Sequence, residues 1–199
     1  MKPVLNRPVI IDERMILFMK VFLNPGHDRE YDPGASHWTG TREADIAWEI
    51  GNKVAEYLNA VGVETMVMQS DNLCGWDCDR EDRPEAVCST SDAWGADVFV
   101  SIHCNAFNQE AKGTEVEYVS ESGAQLAQCI QNQIVNGLNT VDRGIKVRRD
   151  LMVLKHTDAV SVLVECAFID NDEDHEKLVN RTDEFAAAIA RGITDYENA

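Results

Sequence analysis

The sequence lacks any apolar run long enough to cross a membrane, which takes about 20 residues as a helix, and so excludes a helical membrane protein. Its first twenty residues do not read as a secretion signal either. Arg7, Asp12, Glu13 and Arg14 interrupt the opening MKPVLNRPVIIDERMILFMK, and no small-residue cleavage site follows. The chain is therefore expected to be cytoplasmic when synthesised. Residues 1–19 read as an N-terminal leader, with Met19 as a second candidate start. Basic side chains are scarce, 18 against 35 acidic ones, for a formal charge of −17. Such a surface repels nucleic-acid phosphate and anionic lipid, so neither is expected as a partner. Paired Cys-x-x-Cys units are missing too. Cys74, Cys78, Cys88, Cys104, Cys129 and Cys166 are expected as free thiols. The first three lie close together but have no His or fourth Cys to complete a zinc site. There are no internal repeats and no low-complexity linker. A chain of 199 residues suits one domain with its own core, expected here as a monomer.

What is present is an alternation of strand and helix signals. Val21-Phe22-Leu23 ends at Asn24-Pro25-Gly26, a strand entering a turn. Ile46, Ile50, Val54 and Leu58 recur on one face of a helix over about 42–59. Residues 63–68 read as a strand, 69–82 as a loop, and Pro84 as the start of a helix reaching Trp94. Residues 98–102 and 114–119 read as strands. Leu126, Ile130, Ile134 and Leu138 mark a helix, residues 151–154 and 160–164 two more strands, and Phe185, Ile189, Ile193 and Tyr196 a closing helix. This pattern predicts an α/β fold of phosphorylase/hydrolase-like type: a single twisted, mostly parallel (mixed) sheet flanked by helices. Ligands of such sheets gather beyond the carboxyl ends of the strands.

The chemically unusual residues fall there. His27 follows the first strand in a tight turn, and alone would mean little. His103 ends a buried apolar strand, where an imidazole needs a partner. Glu43 opens a helix and shares the inward face of Ile46 and Ala47; as an acid in a first turn it also complements the helix dipole. Glu165 lies within Val162-Leu163-Val164-Glu165-Cys166-Ala167-Phe168, where burial raises a carboxyl pKa toward the range of a general base. Two histidines and one glutamate suit one Zn²⁺ with a fourth position left for water, and a second glutamate suits proton transfer from that water.

In order along the chain come Asn24-Pro25-Gly26-His27, Asp32-Pro33-Gly34-Ala35 and Gly40-Thr41-Arg42-Glu43. Then follow the eleven residues from Ala96 to Ala106, Asp142-Arg143-Gly144-Ile145-Lys146 and the stretch from Val162 to Asn171. Over nearly all of residues 20–199 these blocks resemble the zinc-dependent N-acetylmuramoyl-L-alanine amidases of the type 3 class. The resemblance implies zinc ligands at His27, Glu43 and His103, a catalytic Glu165, and peptidoglycan as substrate, acted on after release or export. Asp28-Arg29-Glu30-Tyr31 departs from the family's shorter, glycine-rich stretch. Val160 stands where a proline is common, and residues 73–88 replace a segment usually carrying Thr-Arg-Asp. Asn105 and Arg143 are candidate substrate contacts, the latter for a stem-peptide carboxylate. His37, on the loop before Glu43, is a candidate for a substrate role near the metal, His156 for the site rim, His175 for a solvated surface, and Cys104 and Cys166 for core packing. A zinc carboxypeptidase or other amidohydrolase, and an inactive peptidoglycan-binding domain, are the rival readings.

Overall fold

The computed structural model describes residues 19–78 and 85–199. All but Met19 of the expected leader, and the start of the helix expected at Pro84, lie outside them. Six strands form one sheet: β1 (Lys20–Pro25), β2 (Glu64–Val67), β3 (Val98–Asn105), β4 (Thr114–Tyr118), β5 (Asp142–Val147) and β6 (Val160–Phe168). Their order is β2-β1-β3-β6-β4-β5. Every neighbouring pair is parallel except β4 with β6. The sheet is thus mixed and mostly parallel, as the alternation predicted.

Strand alternation sends odd- and even-numbered side chains to opposite faces. On the back face Val21, Leu23, Val100, Ile102, Val116, Val162 and Val164 meet the apolar stripes of α1 (Glu43–Ala60), α3 (Glu121–Leu138) and α6 (Thr182–Glu197) in the main core. The periodic residues Ile50, Val54, Leu58, Leu126, Ile130, Ile134, Phe185 and Ile189 are all fully buried there. Cys104 and Cys166 belong to this core, as alternation required. On the front face a smaller cluster joins Phe22, Phe99 and Leu163 to Cys74, to Val87 and Cys88 of α2 (Val87–Trp94), and to Val153 and Leu154.

Two elements depart from the sequence reading. Of residues 151–154, expected as a strand, Met152, Val153 and Leu154 belong to the short helix α4 (Met152–Lys155), with Leu151 as its N-cap. A short apolar run does not by itself distinguish strand from helix. Here the chain must pass from the end of β5 to the start of β6, and it lays Val153 and Leu154 on the front core instead of adding a strand. The antiparallel pair is accordingly β4 with β6. β5, whose Asp142-Arg143-Gly144 carries little strand signal, and α5 (Asp172–Asn180), an acidic run read as solvated surface, are elements the sequence reading did not place. In α5, Asn171 caps the amide of Asp174, and Asp174 is itself fully buried, accepting from Gly113 and Phe168 amides. No helix among the described residues is long and apolar enough to cross a membrane.

Candidate active site

β1 ends at Pro25 and the chain turns through Gly26, whose amide donates to the Ile102 carbonyl at 2.8 Å. A Cβ on Gly26 would fall 2.2 Å from the His103 ring, so only glycine passes there. His27 follows with φ 64°, a left-handed conformation that costs a residue with a side chain. A small loop holds it: Asp28 and Asp32 exchange backbone hydrogen bonds of 2.8 and 3.1 Å. Asp32 Oδ2 lies 2.8 Å from His27 Nδ1. A carboxylate only accepts, so Nδ1 carries the hydrogen and Nε2 is the nitrogen turned inward.

Glu43 begins α1 on the buried side. Its Oε2 accepts from the Ala35 amide at 2.9 Å and its Oε1 from the Cys104 amide at 3.0 Å. The same two oxygens lie 3.1 Å from His27 Nε2 and 3.0 Å from His103 Nδ1. His27 and His103 stand edge to face with ring centroids 4.9 Å apart. The structure thus brings together the three side chains that the sequence scattered, with donor atoms all within 4.8 Å of one another. Among the described residues no other group of His, Cys, Asp or Glu converges in this way. Cys74 and Cys88 lie with Sγ atoms 3.9 Å apart, and all six cysteines are free thiols.

The electrostatics of the triad are those of a strongly coupled cluster. Burial alone would raise the Glu43 pKa, but the hydrogen bonds and charges of His103 and His27 hold it well below the usual carboxylate range. Burial would likewise lower that of His27, but Glu43 and Asp32 outweigh it and push the ring up to about 9. A site in which both nitrogens of one imidazole face carboxylates is built to hold positive charge.

Glu165 is the register partner of His103 in the β3–β6 pair. Its Oε2 is sealed from solvent and has no hydrogen-bond partner among the described residues. Burial, and then the charges of Glu43, Glu117 and Glu115, push its pKa well above the ordinary value. On the other side of it, β4 presents two buried acids, Glu115 and Glu117. Glu115 accepts from Arg143 Nε at 2.6 Å, from Lys146, and from Asn105 Nδ2 at 3.2 Å. Glu117 pairs with Arg148 at 2.6 Å. Asn105 and Arg143 therefore meet each other through Glu115, and the Arg143 guanidinium also lies 4.8 Å from the Phe168 ring centroid. The sequence reading passed over Glu115 and Glu117. Their signal was the spacing of two within Thr114-Glu115-Val116-Glu117-Tyr118, which places both on one face of a strand.

The other histidines lie apart from the triad. His37 is buried, its Nε2 3.0 Å from Asp172, and its ring stacks on His175 at 3.6 Å. His175, expected on a solvated surface, instead meets Thr41 at 2.8 Å and so ties the loop before Glu43 to α5. His156 caps α4 and meets Trp76 edge to face at 5.0 Å. A cavity of about 200 Å³ opens beside His27 and His103, walled by Leu73 and by Leu151, Met152 and Val153.

A mostly parallel α/β sheet with a His/Glu/His cluster beyond its strand ends, and a glutamate with one oxygen unsatisfied among the described residues beside it, is an arrangement suited to hydrolysis. Residues 21–195 match the family Amidase_3, N-acetylmuramoyl-L-alanine amidase, and the chain belongs to that family. It is 35% identical over 182 residues to the uncharacterized protein YqiI of Bacillus subtilis, covering 88% of this chain and 84% of that one. It is 32% identical over 183 residues to the N-acetylmuramoyl-L-alanine amidase LytC of the same organism, covering 88% of this chain and 35% of LytC. The fold superposes on N-acetylmuramoyl-L-alanine amidase AmiC2 of Nostoc punctiforme with a TM-score of 0.79 and 31% identity, covering 91% of this chain and 98% of that one. Cwp6 from Clostridium difficile gives 0.78 and 28%, covering 89% of this chain and 29% of Cwp6. The chain is an N-acetylmuramoyl-L-alanine amidase, a hydrolase of peptidoglycan.

Proposed function

We propose that residues 20–199 form a zinc amidase domain that hydrolyses the amide between the muramic acid lactyl group and L-alanine, with His27, Glu43 and His103 as the metal ligands and Glu165 as the catalytic base. The observation that carries the reading is the convergence of those three donors within 4.8 Å beside a glutamate oxygen with no hydrogen-bond partner among the described residues. The donor set fits the metal: two imidazoles and one carboxylate are common ligands of catalytic zinc. Zn²⁺ bound there supplies Lewis acidity toward the scissile carbonyl and lowers the pKa of coordinated water.

The protein's own groups do the rest. Asp32 fixes the ring of His27 with Nε2 inward, and the Ala35 and Cys104 amides fix the carboxylate of Glu43. Glu165 takes a proton from the attacking water and returns it to the departing L-alanine nitrogen. Burial and the neighbouring carboxylates raise its pKa above the ordinary carboxylate value, the direction a general base requires. Asn105 and Arg143, clasped around Glu115, are assigned to the substrate groove on the side of β4 and β5. Action on the cell wall follows from the substrate.

Elemental analysis, anomalous scattering and end-group analysis of digested peptidoglycan test the reading together. The expected result is one zinc at His27, Glu43 and His103, with new L-alanine amino termini on intact glycan strands. Release of free D-alanine would support the carboxypeptidase reading instead, and tight binding without cleavage the binding-domain reading.

A further inference from the structure

The loop that enters α1 is a small ladder with two ends. At the inner end the Glu43 amide donates to the Ala35 carbonyl at 2.9 Å, and the Ala35 amide returns a bond of 2.9 Å to Glu43 Oε2. Ser36 and Arg42 form the next antiparallel bridge. At the outer end the His37 amide donates to the Thr41 carbonyl, and the Gly40 amide closes the turn on the His37 carbonyl, both at 2.9 Å. The inner end thus holds the carboxylate of a candidate zinc ligand, and the outer end rests on α5.

The contact with α5 is made by two imidazoles. The rings of His37 and His175 stack at 3.6 Å, only 11° from parallel. Asp172 Oδ1 accepts from His37 Nε2 at 3.0 Å and from Trp38 Nε1 at 3.1 Å. A carboxylate only accepts, so Nε2 carries the hydrogen of a neutral His37. Its Nδ1 then accepts from the Thr39 amide at 3.4 Å. From Nδ1 two hydroxyls lead back to the other ring: Thr39 Oγ1 at 2.8 Å, Thr41 Oγ1 a further 3.4 Å on, and His175 Nε2 2.8 Å beyond that. Two neutral rings satisfy this circuit. Two charged ones would face each other at 3.6 Å, and like charges that close oppose each other's ionisation.

Burial, and then the charge of His37, hold the pKa of His175 below its ordinary 6.5, against the pull of Asp172. A histidine kept neutral by folding costs nothing above pH 6.5 and destabilises its surroundings as pH falls below that value. Among the described residues the charges acting on His175 are those of His37 and Asp172. The charged neighbours are engaged elsewhere: Arg42 with Asp45, Glu173 with Lys112, and Lys177 with Asp174.

Resting on the zinc reading of the triad, we propose that His175 and Asp172 are positioning residues for Glu43. They seat the outer end of the ladder on α5, and a second proton on the stack parts the rings and loosens the carboxylate at the inner end. Acid thus weakens the hold on the metal through a helix that supplies no ligand.

Two measurements on the full chain test this. The first is hydrogen exchange of the amides of residues 36–42, corrected for the intrinsic effect of pH, on metal-free protein. There His27, with its pKa pushed up to about 9, keeps its proton throughout the window. Local opening in the wild type is expected to rise about tenfold between about pH 8 and about pH 5. In His175→Phe, which keeps a flat ring for the stack but takes no proton, it is expected to stay within about twofold. The second is the rate of zinc release from loaded protein into excess chelator at about pH 8. His175→Ala is expected to speed it about tenfold, as for loss of one hydrogen bond and its stack. His175→Phe is expected to recover most of that loss, and Glu176→Ala, an exposed side chain on the same helix, to change neither reading. Wild-type opening that ignores pH, the same rise in His175→Phe, or zinc release untouched by His175→Ala would overturn the proposal. A wild-type chain that takes up no zinc would overturn the zinc reading, while the exchange result still decides the clasp.

Discussion

On the back of the sheet, α1, α3 and α6 cover the strands with an apolar layer in which Ile50, Ile130, Ile134, Phe185 and Ile189 are fully buried. On the front, the same strands carry Asn24, Ser101, His103, Glu115, Glu117 and Glu165, and apolar packing shrinks to a cluster around Phe22, Phe99 and Leu163. The back face buries apolar groups at little polar cost. The front face gathers carboxylates whose mutual repulsion is relieved only in part, by two histidines, two arginines and a lysine. One sheet therefore separates stability from chemistry by strand parity, and substitutions on the two faces should have opposite signatures.

The sharpest contrast is at Glu165. Glu165→Gln should lower turnover about 10²–10⁴-fold, as for loss of a general base. Its melting temperature should hold or rise, because a carboxyl whose ionised form is opposed by burial and by Glu43, Glu117 and Glu115 is gone. Steady-state kinetics beside a thermal melt checks this; near-full activity with metal bound would remove Glu165 from the mechanism. The mirror image is Phe185→Ala on the back face. It should cost about 3–5 kcal/mol of stability, read by urea denaturation, while activity per folded molecule is retained.

A third test uses pH on metal-free protein. The folded pKa of His27 is raised from 6.5 to about 9. Its contribution is therefore fully present below pH 6.5 and is lost as pH rises through about 9. With 26% of that side chain exposed, a loss of about 2 kcal/mol across this window is expected. Zinc-loaded protein should lack this loss, since a metal-bound imidazole is already neutral. An identical slope with and without metal would mean that His27 is not a ligand. The smallest effect belongs to the contacts around Glu115: Arg143→Ala leaves Glu115 with Lys146 and Asn105, and should cost about 1–2 kcal/mol of stability.

The periodic helices and buried strands were legible because burial imposes its period directly on sequence: Ile46-Ile50-Val54-Leu58 and Val98-Phe99-Val100 admit few other readings. Residues 151–154 were not, since four apolar residues fit either period, and their helix is decided by the path from β5 to β6. Nor was α5, whose acidic sequence hides the fully buried Asp174 that takes two backbone amides. The stacked pair His37–His175 joins residues far apart in the chain, and no local pattern announces such a contact.

By itself the sequence determined the periodic helices, the buried strands and the back-face core, and it made His103 and Glu165 conspicuous, because a histidine or glutamate embedded in an apolar run stands out wherever it falls. Tertiary structure alone decided how they act together. The Gly26 turn sets His27 against His103, Asp32 selects the His27 nitrogen that faces inward, and Glu43 is held between both rings. The pairing of β4 with β6 then brings Glu115 beside Glu165. Distances and charge coupling are relations between distant segments, and only a folded chain brings those segments within range of one another.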